Sequence, residues 1–271
     1  AGGQHGFGDG LVGQIHLVRN RYACAGQGAA CSGGRGGNDE AHGTFHFHDG
    51  GGIQGHSVQH ASIKELDGKN VKSSVKPSLR YDSRDNTVVA TEGSRHELSY
   101  EYAGLGGDIG FMKYIGKTSW YLPLFWEFVL APHAKGGYVN KTKDKKLPDY
   151  EKFYMGGIGS MRGFKRDDLA PKDGDGNSIG GDKYVQFNLD LTFPLLKEQG
   201  VFGGLFFDTG RVYGDNEKIE FDPGDLRQSA GIGFRWLSPM GPVNLFYGFI
   251  LDPEDTDSAS GGWAFTMATS F

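Results

Sequence analysis

Three ionisable side chains stand out: Arg162, in the run Met161-Arg-Gly-Phe164, and the acids Asp190 and Asp208. Asp190 lies in Asn188-Leu-Asp-Leu-Thr192 and Asp208 in Phe206-Phe-Asp-Thr-Gly210. Two carboxylates in apolar surroundings can divide acid and base work between them. With an arginine as third member, a structural ion-pair network is the plainer chemistry, because the guanidinium fork binds carboxylates in bidentate fashion. Other candidates carry less. Asp173-Gly-Asp-Gly-Asn177 opens like a calcium loop, but Ser178 stands where an EF-hand needs Gly and Tyr184 where it needs Glu. It reads as a solvated polar loop. His46 and His48 would share one strand face, with no carboxylate or Cys at a spacing that completes a metal set. Cys24 and Cys31 permit a disulfide in an exported protein. No Ser/His/Asp set appears, so we expect no catalytic residue, no metal site and no cofactor.

What must hold these residues is a series of strands, since strict alternation recurs from about residue 70 to the end. In the segment from Tyr184 to Phe193, Val185, Phe187, Leu189, Leu191 and Phe193 oppose Gln186, Asn188, Asp190 and Thr192. Ala230, Ile232, Phe234 and Trp236 oppose Ser229, Gly231, Gly233 and Arg235. At the C-terminus Trp263, Phe265, Met267 and Phe271 oppose Ala264, Thr266, Ala268 and Ser270. The same period runs through 75–82 and 97–102, and further strands are expected around 110–122, 124–138, 201–213 and 243–251. Two architectures alternate in this way, a soluble β-sandwich and a transmembrane β-barrel. Strands of globular proteins usually run ~5–6 residues. These are longer, and match the ~9–11 tilted residues that cross a bilayer. The apolar face carries aromatics suited to interfacial girdles (Tyr184, Trp236, Trp263, Phe271), and the polar face carries charge and small residues, as a lumen would. We therefore expect an all-β, antiparallel transmembrane barrel. Connections alternate between short, as at Ser238–Pro242, and long, as at 139–181 and 252–262. A loop of some 40 residues is uncommon and usually functional. The 139–181 loop contains Arg162, and we expect it to fold inward with Arg162 on Asp190 and Asp208.

Composition agrees. The 271 residues carry a formal net charge of −5, which excludes a strongly basic nucleic-acid footprint. Aromatics at 13% argue against a disordered chain. No run of ~18 apolar residues exists to form a membrane helix, and that leaves a barrel open. Residues 1–60 differ from the remainder: they hold 17 of the 46 Gly, 7 of the 9 His and both Cys. Two origins fit them, non-native sequence such as a shifted reading frame, and a divergent glycine-rich set of strands. We divide the chain into this anomalous segment, 1–60, and a barrel part, 61–271.

Several motifs of 61–271 resemble one family. Phe153 to Phe164, ending in Met161-Arg-Gly-Phe164, is similar to the Val-Arg-Gly-Phe/Tyr loop of BamA-type outer-membrane barrel assembly proteins, with Met161 in place of the usual Val. Phe206-Phe-Asp-Thr-Gly210, the segment from Gln228 to Pro242 and the terminal Phe271 match further motifs in the family's order. The resemblance implies the last nine or so strands of a barrel of about 16. It implies that Arg162 contacts Asp190 and Asp208, and that the terminal strand, with Trp263, Phe265 and Phe271, forms one side of a lateral seam. By the same resemblance, the function is insertion of unfolded barrel proteins into the bacterial outer membrane. Partners would be those unfolded chains, accessory assembly lipoproteins and outer-membrane lipid, with no nucleic acid. Two alternatives remain, an exporter of the two-partner-secretion type and a passive diffusion channel.

Overall fold

The computed structural model describes residues 10–24, 32–34 and 68–267, apart from 143, 144, 175, 216, 218, 220–223, 255, 256, 258 and 259. Cys31, His46, His48 and Phe271 therefore lie outside the described residues. The strands are β1 (Gly10–Cys24), β2 (Ser32–Gly34), β3 (Gly68–Asp82), β4 (Gly93–Gly107), β5 (Phe111–Pro123) and β6 (Val129–Lys141). They continue as β7 (Lys183–Leu196), β8 (Val201–Tyr213), β9 (Arg227–Ser238), β10 (Gly241–Ile250) and β11 (Gly261–Met267). All join one sheet in the order β11-β10-β9-β8-β7-β6-β5-β4-β3-β1-β2, with every pairing antiparallel. Nine strands run from Gly68 onward, at the places where alternation predicts them. Among the described residues the sheet does not close: β11 and β2 are its edges.

The sheet is inside out relative to a soluble protein. One face exposes Leu98, Leu189, Leu205, Ile232, Phe249 and Phe265, each at least 42% accessible. A row of large apolar side chains facing outward needs a non-aqueous surrounding. The opposite, inner face buries Lys72, Ser74, Ser99, Glu101, Gln186, Asn188 and Asp208. Period 2 explains both faces from one pattern.

One detail adds to the sequence reading and two depart from it. Gly10–Cys24 forms a strand paired along its whole length with β3, from Gly10 opposite Asp82 to Cys24 opposite Gly68. The origin of residues 1–60 is a separate matter from this pairing. The apolar run expected to start a strand at 124 instead makes a hairpin turn: Phe125–Glu127 is one turn of 3-10 helix, and Leu124 N–H donates to the Phe128 carbonyl at 2.7 Å. Trp126 and Glu127 take φ of 53° and 61° there, so the chain reverses before β6 starts at Val129. Apolar content cannot distinguish a strand from an exposed apolar turn, and Trp126 is 80% exposed. Tyr184, expected in the outer girdle, points inward and packs on Phe153 with ring centroids 4.7 Å apart. Its parity is that of Gln186 and Asn188, not of Phe187.

Antiparallel pairing puts 83–92, 124–128, 197–200 and 239–240 at one end of the sheet and 108–110, 142–182, 214–226 and 251–260 at the other. The 142–182 loop does not stand off in solvent. Phe153, Met155, Met161 and Phe164 from it join Ala103, Ile109, Phe111, Val139, Val212 and Ile250 from the strands and their ends in one buried cluster. Burying such side chains is worth ~1.5–3 kcal/mol each, ample to draw a loop onto a wall.

Candidate functional site: the Arg162 loop on the inner wall

The tip of the loop is built from tight turns. Gly156 and Gly163 have φ of 128° and 94°, conformations open to glycine and strained for other residues. The Gly157 N–H donates to the Phe164 carbonyl at 3.1 Å and Ser160 N–H to the Gly157 carbonyl at 3.1 Å, closing the tip on itself. Ser160 Oγ accepts from Gly156 N–H at 2.9 Å. The closed tip then offers Arg162 sideways to the sheet.

Arg162 meets both predicted acids. Its Nε and Nη2 donate to Asp208 Oδ2 and Oδ1 at 2.8 and 2.6 Å, a bidentate fork. The Arg162 backbone N–H adds a third bond to Asp208 Oδ2 at 2.9 Å, and Nη1 reaches Asp190 Oδ1 at 2.6 Å. Asp208 is 0% accessible, and four donors satisfy its carboxyl oxygens; the fourth is Asn188 Nδ2 at 2.8 Å. Burial disfavours the guanidinium's charge, but the bonds and charges of Asp208 and Asp190 outweigh it and hold Arg162 protonated more firmly than usual. The register sets the acids: Asn188 lies opposite Asp208 across β7–β8, and Asp190 opposite Phe206.

Further contacts complete the site, some from the quoted motifs and some from residues outside them. The Phe206 ring lies under the guanidinium, 3.9 Å from Cζ, with Phe246 at 5.1 Å. Gln186 and Asn188 donate to the Ser160 carbonyl at 3.1 and 2.9 Å. His133 Nε2 stands 3.4 Å from Asp190 Oδ2. Phe164 packs under Arg227, 5.1 Å from its Cζ, and Arg227 in turn holds Asp252 and Asp257 of the 251–260 connection. Met161 is fully buried in the cluster beneath the tip.

Gly163 touches the wall backbone to backbone. A Cβ on Gly163 would come within 3.0 Å of the Gly248 carbonyl carbon, and one on Gly248 within 2.7 Å of Gly163 Cα. Gly231, Gly248 and Gly262 are register partners across β9, β10 and β11, and they clear a shallow bed in which the loop tip and the Phe206 ring rest. Parity of the alternation marks these glycines as inward-facing, but their partner on the loop could not be read from sequence.

Trp263 and Phe265 lie on β11 at the sheet edge, pointing outward at 70% and 63% exposure. Asp173 accepts from Asn177 N–H at 2.8 Å within a small polar turn. Among the described residues no group of three His, Cys, Asp or Glu side chains is placed to hold a metal ion.

A single antiparallel sheet with its apolar side chains facing outward agrees with what the chain is similar to. The Omp85 superfamily domain model matches residues 26–271. The chain belongs to the Omp85 superfamily. Its Omp85 relatives include the outer membrane protein assembly factor BamA of Nitratidesulfovibrio vulgaris, 33% identical over 77% of this chain and 27% of that protein. BamA of Neisseria meningitidis is 28% identical over 69% of the chain and 27% of its own length. The sorting and assembly machinery component 50 homolog of Xenopus tropicalis is 32% identical over 54% of the chain and 31% of its length. The crystal structure of Haemophilus ducreyi BamA lacking POTRA domains 1–3 superposes with a TM-score of 0.65 at 25% identity, over 75% of this chain and 43% of that one. This Omp85 chain thus spans about a quarter of the length of the BamA proteins it matches. Its fold is that of the C-terminal part of a BamA-like barrel, and as an Omp85 protein with bacterial BamA relatives it is a protein of the bacterial outer membrane.

Proposed function

We propose that this chain is the C-terminal barrel part of a non-enzymatic insertase that assembles β-barrel proteins in the outer membrane. The observation that carries the reading is the Arg162 loop seated on Asp190 and Asp208 in a sheet of Omp85 type. In this reading the loop braces the inner wall, while β11, unpaired on its outer side among the described residues, offers free backbone N–H and C=O groups to an incoming strand. The terminal strand β11, with Trp263 and Phe265, forms one side of a lateral seam. Substrates are unfolded outer-membrane barrels, and accessory assembly lipoproteins and outer-membrane lipid are the other partners. The relatives support this: two are named as assembly factors of outer membrane proteins.

The test is reconstitution in liposomes of the protein that carries this chain, with an unrelated barrel as substrate. Faster folding of that barrel is expected, and Arg162→Ala is expected to reduce the acceleration. Steady conductance without acceleration would make the protein a channel. Dependence on a single cognate secreted partner would make it an exporter.

A further inference from the structure

The Arg162 cluster accounts for the middle of the 142–182 loop and leaves its beginning unexplained, yet that beginning carries a second buried ion cluster, against different strands. After the buried Pro148, one turn of 3-10 helix, Asp149–Glu151, directs Glu151 into the wall. Glu151 Oε1 accepts from Lys72 Nζ of β3 at 2.6 Å. Its Oε2 lies 3.6 Å from Lys113 Nζ of β5, and its backbone carbonyl accepts from the same amine at 2.7 Å. Glu101 of β4 completes the set, 2.8 Å from Lys72 Nζ. Two ammonium groups and two carboxylates balance in charge. Lys72, Glu101 and Glu151 are at most 9% accessible, so each charge depends on its partners, and removing one strands the others.

The two anchors grip different parts of the sheet. Glu151 is bound by β3 and β5, whereas Arg162 and Gly163 are bound by β7, β8 and β10. Only 11 positions separate Glu151 from Arg162 in the chain, a reach of ~40 Å at most when fully extended. We propose that the loop is a two-ended strap which fixes the separation of the β3–β5 and β7–β10 parts of the wall, with Glu151 as the positioning residue at the second end. This goes beyond the assembly reading and does not require it.

The experiment measures distance, not activity. With Cys24 and Cys31 replaced by Ser, spin labels are placed at Leu98→Cys on β4 and Leu205→Cys on β8, both on the outer face, and pulsed dipolar spectroscopy gives their separation. Glu151→Gln is expected to broaden the distribution and shift it to longer distances, and Arg162→Ala to do the same from the other end. Lys113→Met, which removes the other half of the same anchor, should act in the same direction, and it decides the matter if Glu151→Gln fails to give the heat-modifiable band of a folded barrel. Unchanged distributions in folded Glu151→Gln or Lys113→Met protein would overturn the strap. Loss of assembly activity with the distances unchanged would count against it equally, since the anchor would then act elsewhere.

Discussion

At the scale of single residues, the site depends on one fork and one missing side chain. Removing a partner from a buried ion pair typically costs about 3–5 kcal/mol, because the remaining charge is left uncompensated. Arg162→Ala leaves Asp208 buried with two of its four donors, the backbone N–H of residue 162 and Asn188 Nδ2, so the loop should become accessible to protease between residues 153 and 181; unchanged cleavage would refute this. Arg162→Lys keeps the charge and loses the planar fork, and should recover only part of the protection. Gly163→Ala introduces a Cβ at φ 94° against the Gly248 backbone, and should loosen the tip by ~1–3 kcal/mol without altering any charge. The same cleavage assay reads it. At the other end of the sheet Asp85 gives a pH handle. Burial raises its carboxyl's pKa, but the Thr91 hydroxyl and the N–H groups of Glu92 and Thr91 outweigh burial and hold it below the ordinary 3.8. A depressed carboxyl stabilises the 83–92 turn above its unfolded value and ceases to do so as pH falls through its folded one. Relative to an unstructured control peptide, which corrects for the protease's own pH dependence, cleavage of that turn by pepsin should therefore rise as pH falls through the acid range, and Asp85→Asn should lose that added dependence.

At the scale of elements, the nine strands from Gly68 were legible because alternation is a local property: Val185 to Phe193 or Ala230 to Trp236 declares its two faces without reference to the rest of the chain. The same locality explains what was missed. β1 lies in a glycine-rich stretch where alternation is weak, and its place is set by partners 44 to 72 positions away, Cys24 against Gly68 being the nearest in sequence. Phe125-Trp126 reads as strand by composition, whereas a positive φ at Trp126 makes it a turn. Of the site, the arginine and its two acids were legible from residue type and parity. Phe206 under the guanidinium, the Gly163–Gly248 contact and the Lys72–Glu151 pair were not, since each joins positions 44 or more apart through a register that only the folded sheet defines. The outward face itself can be tested. Leu205→Lys on β8 should destabilise the folded protein in lipid by ~2–4 kcal/mol if that face meets hydrocarbon. Ser78→Lys, on the inner face of β3, should stay within ~0.5 kcal/mol. Unfolding by denaturant in lipid vesicles separates the two, and equal effects would argue against a lipid-facing side.

At the scale of the whole molecule, the four tryptophans act as a census of the surface. Trp120, Trp126, Trp236 and Trp263 are the full set, and all are exposed, at 48%, 80%, 41% and 70%. None lines the inner face. In bilayers of brominated lipid the intrinsic fluorescence should thus be strongly quenched, while an aqueous quencher confined to the lumen should have little effect. Strong aqueous quenching would mean that the apolar face is turned to water or to other protein.

The glycine bed of β9–β11 carries a consequence for how the loop leaves. Where side chains interlock, a contact can be surrendered one rotamer at a time. Between Gly163 and Gly248 there are no rotamers, only two main chains in van der Waals touch. Such a seat has no intermediate setting, so unseating should resemble a latch and not a zipper. Its time course should be one exponential with no lag, and the exchange of the Arg162 and Gly163 amide hydrogens should rise together at a single rate.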